Sequence, residues 1–385
     1  MQYRNFGKLD WQVSALGFGA MRLPLRDSNP SHVDETEAIR MIRYAIDHGV
    51  NYVDTAYPYH HGVSEVVVGR ALRDGYRERI RLATKLPAAQ IKSAKDFDRF
   101  LNEQLKRLQV NYIDYYLLHG LNKNFWSKIR DLGVINWAEG IMRDGRVRYL
   151  GFSFHDQLDV FKEIVDAYDN WTFCQIQYNY VDRDYQAGSK GLKYAADKGL
   201  AVVVMEPLRG GGLTKQIPEP VAKLWASAPQ KRSPAEWGLL WVWNQPEVSV
   251  ALSGMSAMEQ VEENVSTAEQ SRPNILTDAE LQLIDKVAAA YRGLNPIPCT
   301  NCRYCVPCPN GVAIPEILSY YNDAIVYGAI QSAKLRYNGG VAISREQRAD
   351  NCLDCNECVE KCPQEIPIPD WLKKTHELLD TTGNP

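Results

Sequence analysis

The hydrophobic pattern of the chain alternates between two periods. Short, mostly apolar runs read as buried strands. Each is followed by a longer stretch in which apolar residues recur every three or four positions, the signature of a helix with one buried stripe. Ala15 to Ala20 is a small-residue strand, and Ile39, Ile42, Ala45 and Ile46 then line one face of a helix predicted over 35–48, which Gly49 stops. The alternation continues with strands at 50–54, 80–85, 112–118, 147–152, 173–177, 200–204 and 248–252. Helices follow at 64–73, 96–108, 127–143, 157–167, 188–198, 234–244 and 258–269. Ser233, Pro234 and Glu236 give the helix at 234 an N-cap and a capping box. Eight strands, each followed by a helix, predict an α/β fold with a parallel sheet closed into a (β/α)8 TIM barrel. No Gly-x-Gly-x-x-Gly follows the first strand, which argues against an open dinucleotide-binding sheet. Before the barrel, Tyr3 to Val13 reads as two short strands around a turn at Lys8–Asp10, and after it a helix is predicted at 278–291.

The character changes after Arg292. Gly293 to Pro298 reads as a linker, so the division expected is a barrel over 1–292 and a small, mainly helical domain over 293–385, in which Ile317, Leu318, Tyr321 and Ile325 fall at helical spacing. The chain has 385 residues, 45% hydrophobic and 24% charged, with net charge −3, so it can bury a large core and offers no basic footprint for nucleic acid. No apolar run approaches the ~18 residues of a membrane span, and the polar N-terminus lacks a signal-peptide core. A cytoplasmic protein is expected. Cysteine is the compositional anomaly: of nine, all but Cys174 lie after residue 298. Such clustering in a long chain points to metal rather than disulfides, whereas Cys174, alone on an apolar strand, reads as core packing.

Four polar residues fall at consecutive strand exits: Asp54 and Tyr59, then Lys85, then His119. In a parallel barrel these exits are adjacent and converge on one rim. The set suits carbonyl reduction. Hydride arriving at a carbonyl carbon leaves an alkoxide that needs a proton, and a phenol with an ordinary pKa of ~10 holds one at neutral pH. Lys85 is expected to lower that pKa by its charge, Asp54 to pair with Lys85, and His119 to hydrogen-bond the carbonyl oxygen.

The motifs DTAYPY (Asp54 to Tyr59), ATK ending at Lys85 and YYLLH ending at His119 resemble the aldo-keto reductase family over about residues 1–290. The resemblance implies a nicotinamide cofactor, NAD(H) or NADP(H), bound across the rim, with Tyr59 as proton donor and a small carbonyl or alcohol as substrate. It implies Ser153 and Gln175 as carboxamide contacts. At the family's aromatic stacking position stands Met205, which is apolar and polarizable but cannot π-stack. Leu208, Gly210 and Gly211 match the pyrophosphate loop. Gly254, Ser256, Gln260, Glu263 and Asn264 match the adenine-ribose site, and there Gly254 and Gln260 replace the cations that usually grip the 2′-phosphate of NADPH. Comparable or preferred use of NADH is therefore expected.

Cys299-x2-Cys302-x2-Cys305-x2-Cys308-Pro and Cys352-x2-Cys355-x2-Cys358-x3-Cys362-Pro form two runs of four. The second is the bacterial ferredoxin pattern. Zinc, usually held by separated pairs, fits poorly. The tail resembles two-cluster ferredoxin domains, which implies two [4Fe–4S] clusters: one on Cys299, Cys302, Cys305 and Cys362, the other on Cys352, Cys355, Cys358 and Cys308. Hydride moves two electrons and a cluster moves one. The leading expectation is an oxidoreductase whose tail exchanges electrons with ferredoxin or another redox protein. The alternatives are a reductase with purely structural clusters, or an electron-transfer or docking subunit with a degenerate barrel.

Overall fold

The structure, a computed structural model, describes residues 1–27, 29–299, 301, 303–340 and 342–381. Cys302 lies outside the described residues. A hairpin of β1 (Tyr3–Phe6) and β2 (Leu9–Ser14) precedes eight strands: β3 (Leu16–Gly19), β4 (Tyr52–Asp54), β5 (Arg81–Leu86), β6 (Ile113–Leu121), β7 (Val147–Phe154), β8 (Phe173–Gln177), β9 (Ala201–Met205) and β10 (Val248–Ser253). They pair in parallel in chain order, and β10 closes on β3. The (β/α)8 barrel read from the alternation is the architecture observed.

The hairpin plugs one end of the barrel. Phe6 is fully buried with Tyr52, Tyr115, Leu117, Phe173, Val203 and Val250, its ring 4.6 Å from that of Tyr115. Aromatic and branched side chains from alternate strands fill the interior, so the barrel is a packed core, and Asp54, Lys85, Ser153 and Gln175 stand at the opposite, carboxyl ends of their strands.

Three elements differ from the expected ones. The single helix expected over 127–143 is two, Lys123–Asp131 and Val134–Arg143, because Gly133 between them is left-handed at φ +81°. The stretch after the glycine-rich loop contains a further helix, Glu219–Ala226, started by Pro218 and Pro220. Strand β6 continues to Leu121, so His119 lies inside it, at a register irregularity between Leu118 and Leu121 where Gly120 is left-handed at φ +65°.

The chain divides into two compact units. One holds Met1–Gly210 with Arg232–Leu281, and the other Gly211–Lys231 with residue 282 onward. The second contains the helices Ile314–Val326, Ile330–Asn338 and Ile368–Leu379. Their apolar faces meet in a core that includes Ile317, Leu318, Tyr337, Ile366 and Leu372, with Cys299, Cys305, Cys308, Cys352, Cys358 and Cys362 packed against it. No helix among the described residues is long and apolar enough to cross a membrane.

Candidate active site

Strand β4 ends at Asp54, and its exit is pinned from both sides. The Ala20 amide donates to the Asp54 carbonyl at 2.8 Å, the Thr55 amide to the Ala83 carbonyl at 2.9 Å. The Thr55 and Ser64 hydroxyls share a bond of 2.8 Å, and Ser64 also reaches the Ala20 carbonyl. The chain then turns through His60, His61 and Gly62, all at positive φ. Two consecutive left-handed non-glycine residues beside a candidate acid are strained backbone. The neutral His60 ring holds the turn: its Nε2 accepts from the Leu23 amide at 3.1 Å, which leaves Nδ1–H to donate to the Pro30 carbonyl at 2.8 Å.

The four sequence-predicted polar residues converge. Lys85 on β5 is fully buried, and its ammonium donates to Asp54 Oδ1 at 2.6 Å, to the Thr55 carbonyl at 2.8 Å and to the Tyr59 hydroxyl at 3.4 Å. The His119 ring stands edge-on to Tyr59, with centroids 5.9 Å apart and an interplanar angle of 81°. Burial alone would depress the Lys85 ammonium, but Asp54 and Tyr59 outweigh it and raise its pKa. Burial raises the Asp54 carboxyl against the pull of Lys85. Burial also dominates at Tyr59, so its phenol lies above 10 although Lys85 pulls it down. The expected net lowering of Tyr59 is thereby corrected: the opposing charge is present, but desolvation of the phenolate is larger. Burial, then the Lys85 charge, push His119 well below 6.5, so its imidazole is neutral at pH 7.

Ser153 and Gln175 face each other across β7 and β8. The Ser153 hydroxyl accepts from the Gly120 amide at 2.7 Å, tying the β6 irregularity to the next strand. Gln175 Nε2 donates to Met205 Sδ at 3.5 Å, while its buried Oε1 has no hydrogen-bond partner among the described residues. A buried amide oxygen left unsatisfied marks a place where a donor from outside the chain belongs. After Met205, residues Glu206, Arg209, Gly210 and Gly211 are all at positive φ, and successive left-handed residues make a concave turn suited to anions. Leu208 lies against the helix Pro234–Trp243 at Gly238, where a Cβ would meet it at 2.5 Å. Beyond β10, Gly254 and Ser256 are exposed, and the Ser256 amide donates to Gln260 Oε1 at 2.9 Å. Glu263 is exposed, whereas Asn264 turns inward and donates to Ser253 Oγ at 3.0 Å.

In the second unit, Cys299, Cys305 and Cys362 line one small pocket together with Arg303, Leu318 and Ile366. Cys352, Cys358, Cys355 and Cys308 form a separate group close enough to influence one another's ionisation. Burial, reinforced by these neighbours, pushes Cys358 up to about 11. Such thiols become thiolates only against a cationic centre. Cys308 thus sits with the second run and Cys362 with the first. Among the described residues no three His, Cys, Asp or Glu side chains close on a single ion. Cys174 is buried and free.

Residues 15–289 match the aldo/keto reductase family, 71% of the chain. The chain belongs to that family. Residues 298–366 match the 4Fe-4S dicluster domain, so this aldo-keto reductase carries an iron–sulfur region after its barrel. It is 26% identical over 300 residues to a probable aldo-keto reductase 1 of Glycine max, covering 68% of this chain and 82% of that one. It is 26% identical over 328 residues to an NADH-specific methylglyoxal reductase of Escherichia coli, covering 74% and 97%. Among solved structures, the holo form of an aldo-keto reductase from Bacillus halodurans aligns with TM-score 0.63 at 31% identity, over 74% of this chain and 96% of that one. Three features of this aldo-keto reductase rim were not read from sequence: the Thr55 carbonyl under Lys85, the His60 clamp, and Arg22, whose stem lies on Gly254 and whose guanidinium ends at Gly210. Each depends on a backbone atom or a distant loop, and none has a motif.

Proposed function

We propose that the chain is an NAD(P)H-dependent carbonyl or alcohol oxidoreductase with Tyr59 as general acid and base. The observation that carries this reading is the buried Lys85 ammonium touching both Asp54 Oδ1 and the Tyr59 hydroxyl. A nicotinamide supplies or accepts the hydride when bound. Tyr59 gives its proton to the oxygen that becomes an alkoxide, and Lys85 stabilises the phenolate left behind. Neutral His119 hydrogen-bonds the same oxygen and orients it. The unpartnered Gln175 Oε1 and the Ser153 hydroxyl would hold the cofactor's carboxamide, the turn at Leu208, Gly210 and Gly211 its diphosphate, and the segment from Gly254 to Asn264 its adenosine. With glycine at 254 and glutamine at 260, NADH is expected to serve at least as well as NADPH. The NADH-specific relative supports this expectation.

The eight cysteines would carry two [4Fe–4S] clusters that exchange single electrons with an external carrier such as ferredoxin. Tyr59→Phe tests the barrel reading: turnover of small aldehydes should fall by about 10²- to 10⁴-fold with NADH affinity retained. Turnover close to wild type would sink it. Anaerobic titration with NADH tests the coupling, which requires that the cluster absorbance bleach as NADH is added. Clusters that stay oxidised while substrate turns over would leave them structural.

A further inference from the structure

Behind Lys85, between β5 and the helices Val63–Ala71 and Lys95–Leu108, lies a buried polar network that takes no part in the proton transfer itself. Glu65 is at its centre, in the first turn of the helix Val63–Ala71 and fully buried. Its Oε1 accepts from the Thr84 hydroxyl at 2.7 Å and from Gln104 Nε2 at 2.6 Å. Its Oε2 accepts from Arg107 Nη1 at 3.4 Å. Each of these partners is a donor, which suits an ionised carboxylate and offers the proton of a carboxylic acid no acceptor among them. The two oxygens lead to the two halves of the site. Thr84 precedes Lys85 on β5, and neighbours in a strand point to opposite faces. Glu65 holds the Thr84 hydroxyl on one face, while the Lys85 ammonium reaches Asp54 and Tyr59 on the other. Gln104 Nε2 also takes the Lys85 carbonyl at 3.1 Å, and the Tyr116 hydroxyl fixes Gln104 by donating to its Oε1 at 2.7 Å. On the other side, Arg107 Nη1 donates to the Tyr57 carbonyl at 3.3 Å, two residues before Tyr59, and the guanidinium stands 4.0 Å from the centre of the Tyr57 ring.

We propose that Glu65 is a positioning residue for the proton transfer: one of its oxygens holds the strand that carries Lys85, the other the guanidinium that holds the turn carrying Tyr59. The proposal rests on the reading of Tyr59 as general acid and base. Of the three contacts made by the Lys85 ammonium, the 3.4 Å to the Tyr59 hydroxyl is the longest. Asp54 and Thr55 are neighbours at the end of one strand. Tyr59 comes four residues later, at the start of a turn that is left-handed at His60 and His61. Its distance from Lys85 therefore depends on how the turn and β5 are held together, and Glu65 is the group that touches the supports of both. Stability alone does not call for a charge at this place. A carboxylate out of water loses hydration that only well-placed partners restore, and apolar residues of similar volume often fill such a site as stably. What the charge adds is direction, since it draws donors from two segments onto oxygens of one rigid group.

The test compares variants of the full-length, cluster-loaded protein reducing a small aldehyde with NADH under anaerobic conditions. Glu65→Gln keeps the shape of the side chain but turns an amide NH2 toward groups that donate. Its kcat should fall by about 10- to 100-fold, the cost of displacing a reacting group by roughly an ångström, while the dissociation constant for NADH is unchanged. The alkaline limb of reduction should move to higher pH, because the ammonium no longer stands where it stabilises the phenolate. In a Lys85→Met background Glu65→Gln should cost nothing further, since both changes act through one contact. Thr84→Val removes the hydroxyl that joins Glu65 to β5. It should shift kcat and the limb in the same direction by less, and it decides the matter if Glu65→Gln does not fold. Wild-type kcat and an unmoved limb in whichever of the two variants folds overturn the proposal. So does a lowered melting temperature with the limb unmoved, which would leave Glu65 a part of the fold alone, or a loss that adds in full to that of Lys85→Met. Tyr59→Phe separates the two readings. If it turns over like wild type, the reading of the site falls and this proposal with it. If it is inactive while Glu65→Gln matches wild type, the proposal alone falls.

Discussion

In the proposed site Lys85 is charged, buried and touches three oxygens. Its charge pulls the Tyr59 phenol down, and burial pushes it up by more. A phenol raised above its ordinary value keeps its proton as pH rises. Carbonyl reduction, which needs the protonated form, should therefore hold through neutrality and fall only as pH passes the raised value. Alcohol oxidation needs the phenolate and should rise in the same window. His119 is neutral well below pH 6.5, so neither direction should show a limb near that value. Profiles of kcat/KM against pH in both directions check all three statements. Lys85→Met removes the larger downward pull on the phenol and leaves that of Arg22, so the alkaline limb of reduction should move to higher pH. It also leaves Asp54 buried without its cation, a break that costs about 3–5 kcal/mol in buried pairs. Urea unfolding should show that loss, and a smaller one in Asp54→Asn with Lys85→Met. The tetrad was legible in the sequence because its members sit at three consecutive strand exits, so chain order alone places them together. Arg22 was not. Its reach across Gly254 to Gly210 joins β3, β9 and β10, and nothing in the local pattern announces it.

The alternation of strands and helices was readable for the same reason that the barrel forms: each element buries one face against the next. What escaped reading is punctuation. The apolar spacing of 123–131 continues into 134–143, and a glycine between them costs a helix only ~1 kcal/mol, so pattern alone favours one helix. The left-handed φ at Gly133 is decided by packing. In Glu219–Ala226 the flanking prolines and the glycines upstream suggested a loop, although proline suits the first turn of a helix. Two glycines separate these kinds of constraint experimentally. At Gly151 on β7 a Cβ would meet Phe173 at 2.5 Å from its ring and 2.6 Å from its carbonyl oxygen. Gly151→Ala should destabilise by about 1–3 kcal/mol, as overpacked cores do, and weaken NADH binding, since Ser153 lies two residues on. Nothing stands within 4 Å of a Cβ at Gly133, where only the φ of +81° resists. Gly133→Ala should cost about 1–2 kcal/mol with NADH affinity unaltered. Thermal melts and binding titrations on the same samples distinguish them.

At the scale of the molecule, the cysteine spacing announced the iron–sulfur region that the dicluster match shows, and the pocket that brings Cys362 to Cys299 and Cys305 supports the crossed assignment as a proposal. The sequence did not announce that the chain crosses between its two units three times, at 210/211, 231/232 and 281/282. The first crossing falls between Gly210 and Gly211, in the stretch proposed to hold the diphosphate. A small domain organised around clusters loosens when the iron leaves, and here the downstream anchor of that stretch would loosen with it. Iron chelation should therefore weaken NADH binding several-fold before any electron is asked to move, and reconstitution with iron and sulfide should restore it. Dissociation constants measured before and after chelation, without substrate, read this directly; equal values would sever the link. Through nothing more than main-chain continuity, such a protein would take up its dinucleotide in proportion to the iron it holds, and a shortage of the metal would register as idleness at the barrel rim.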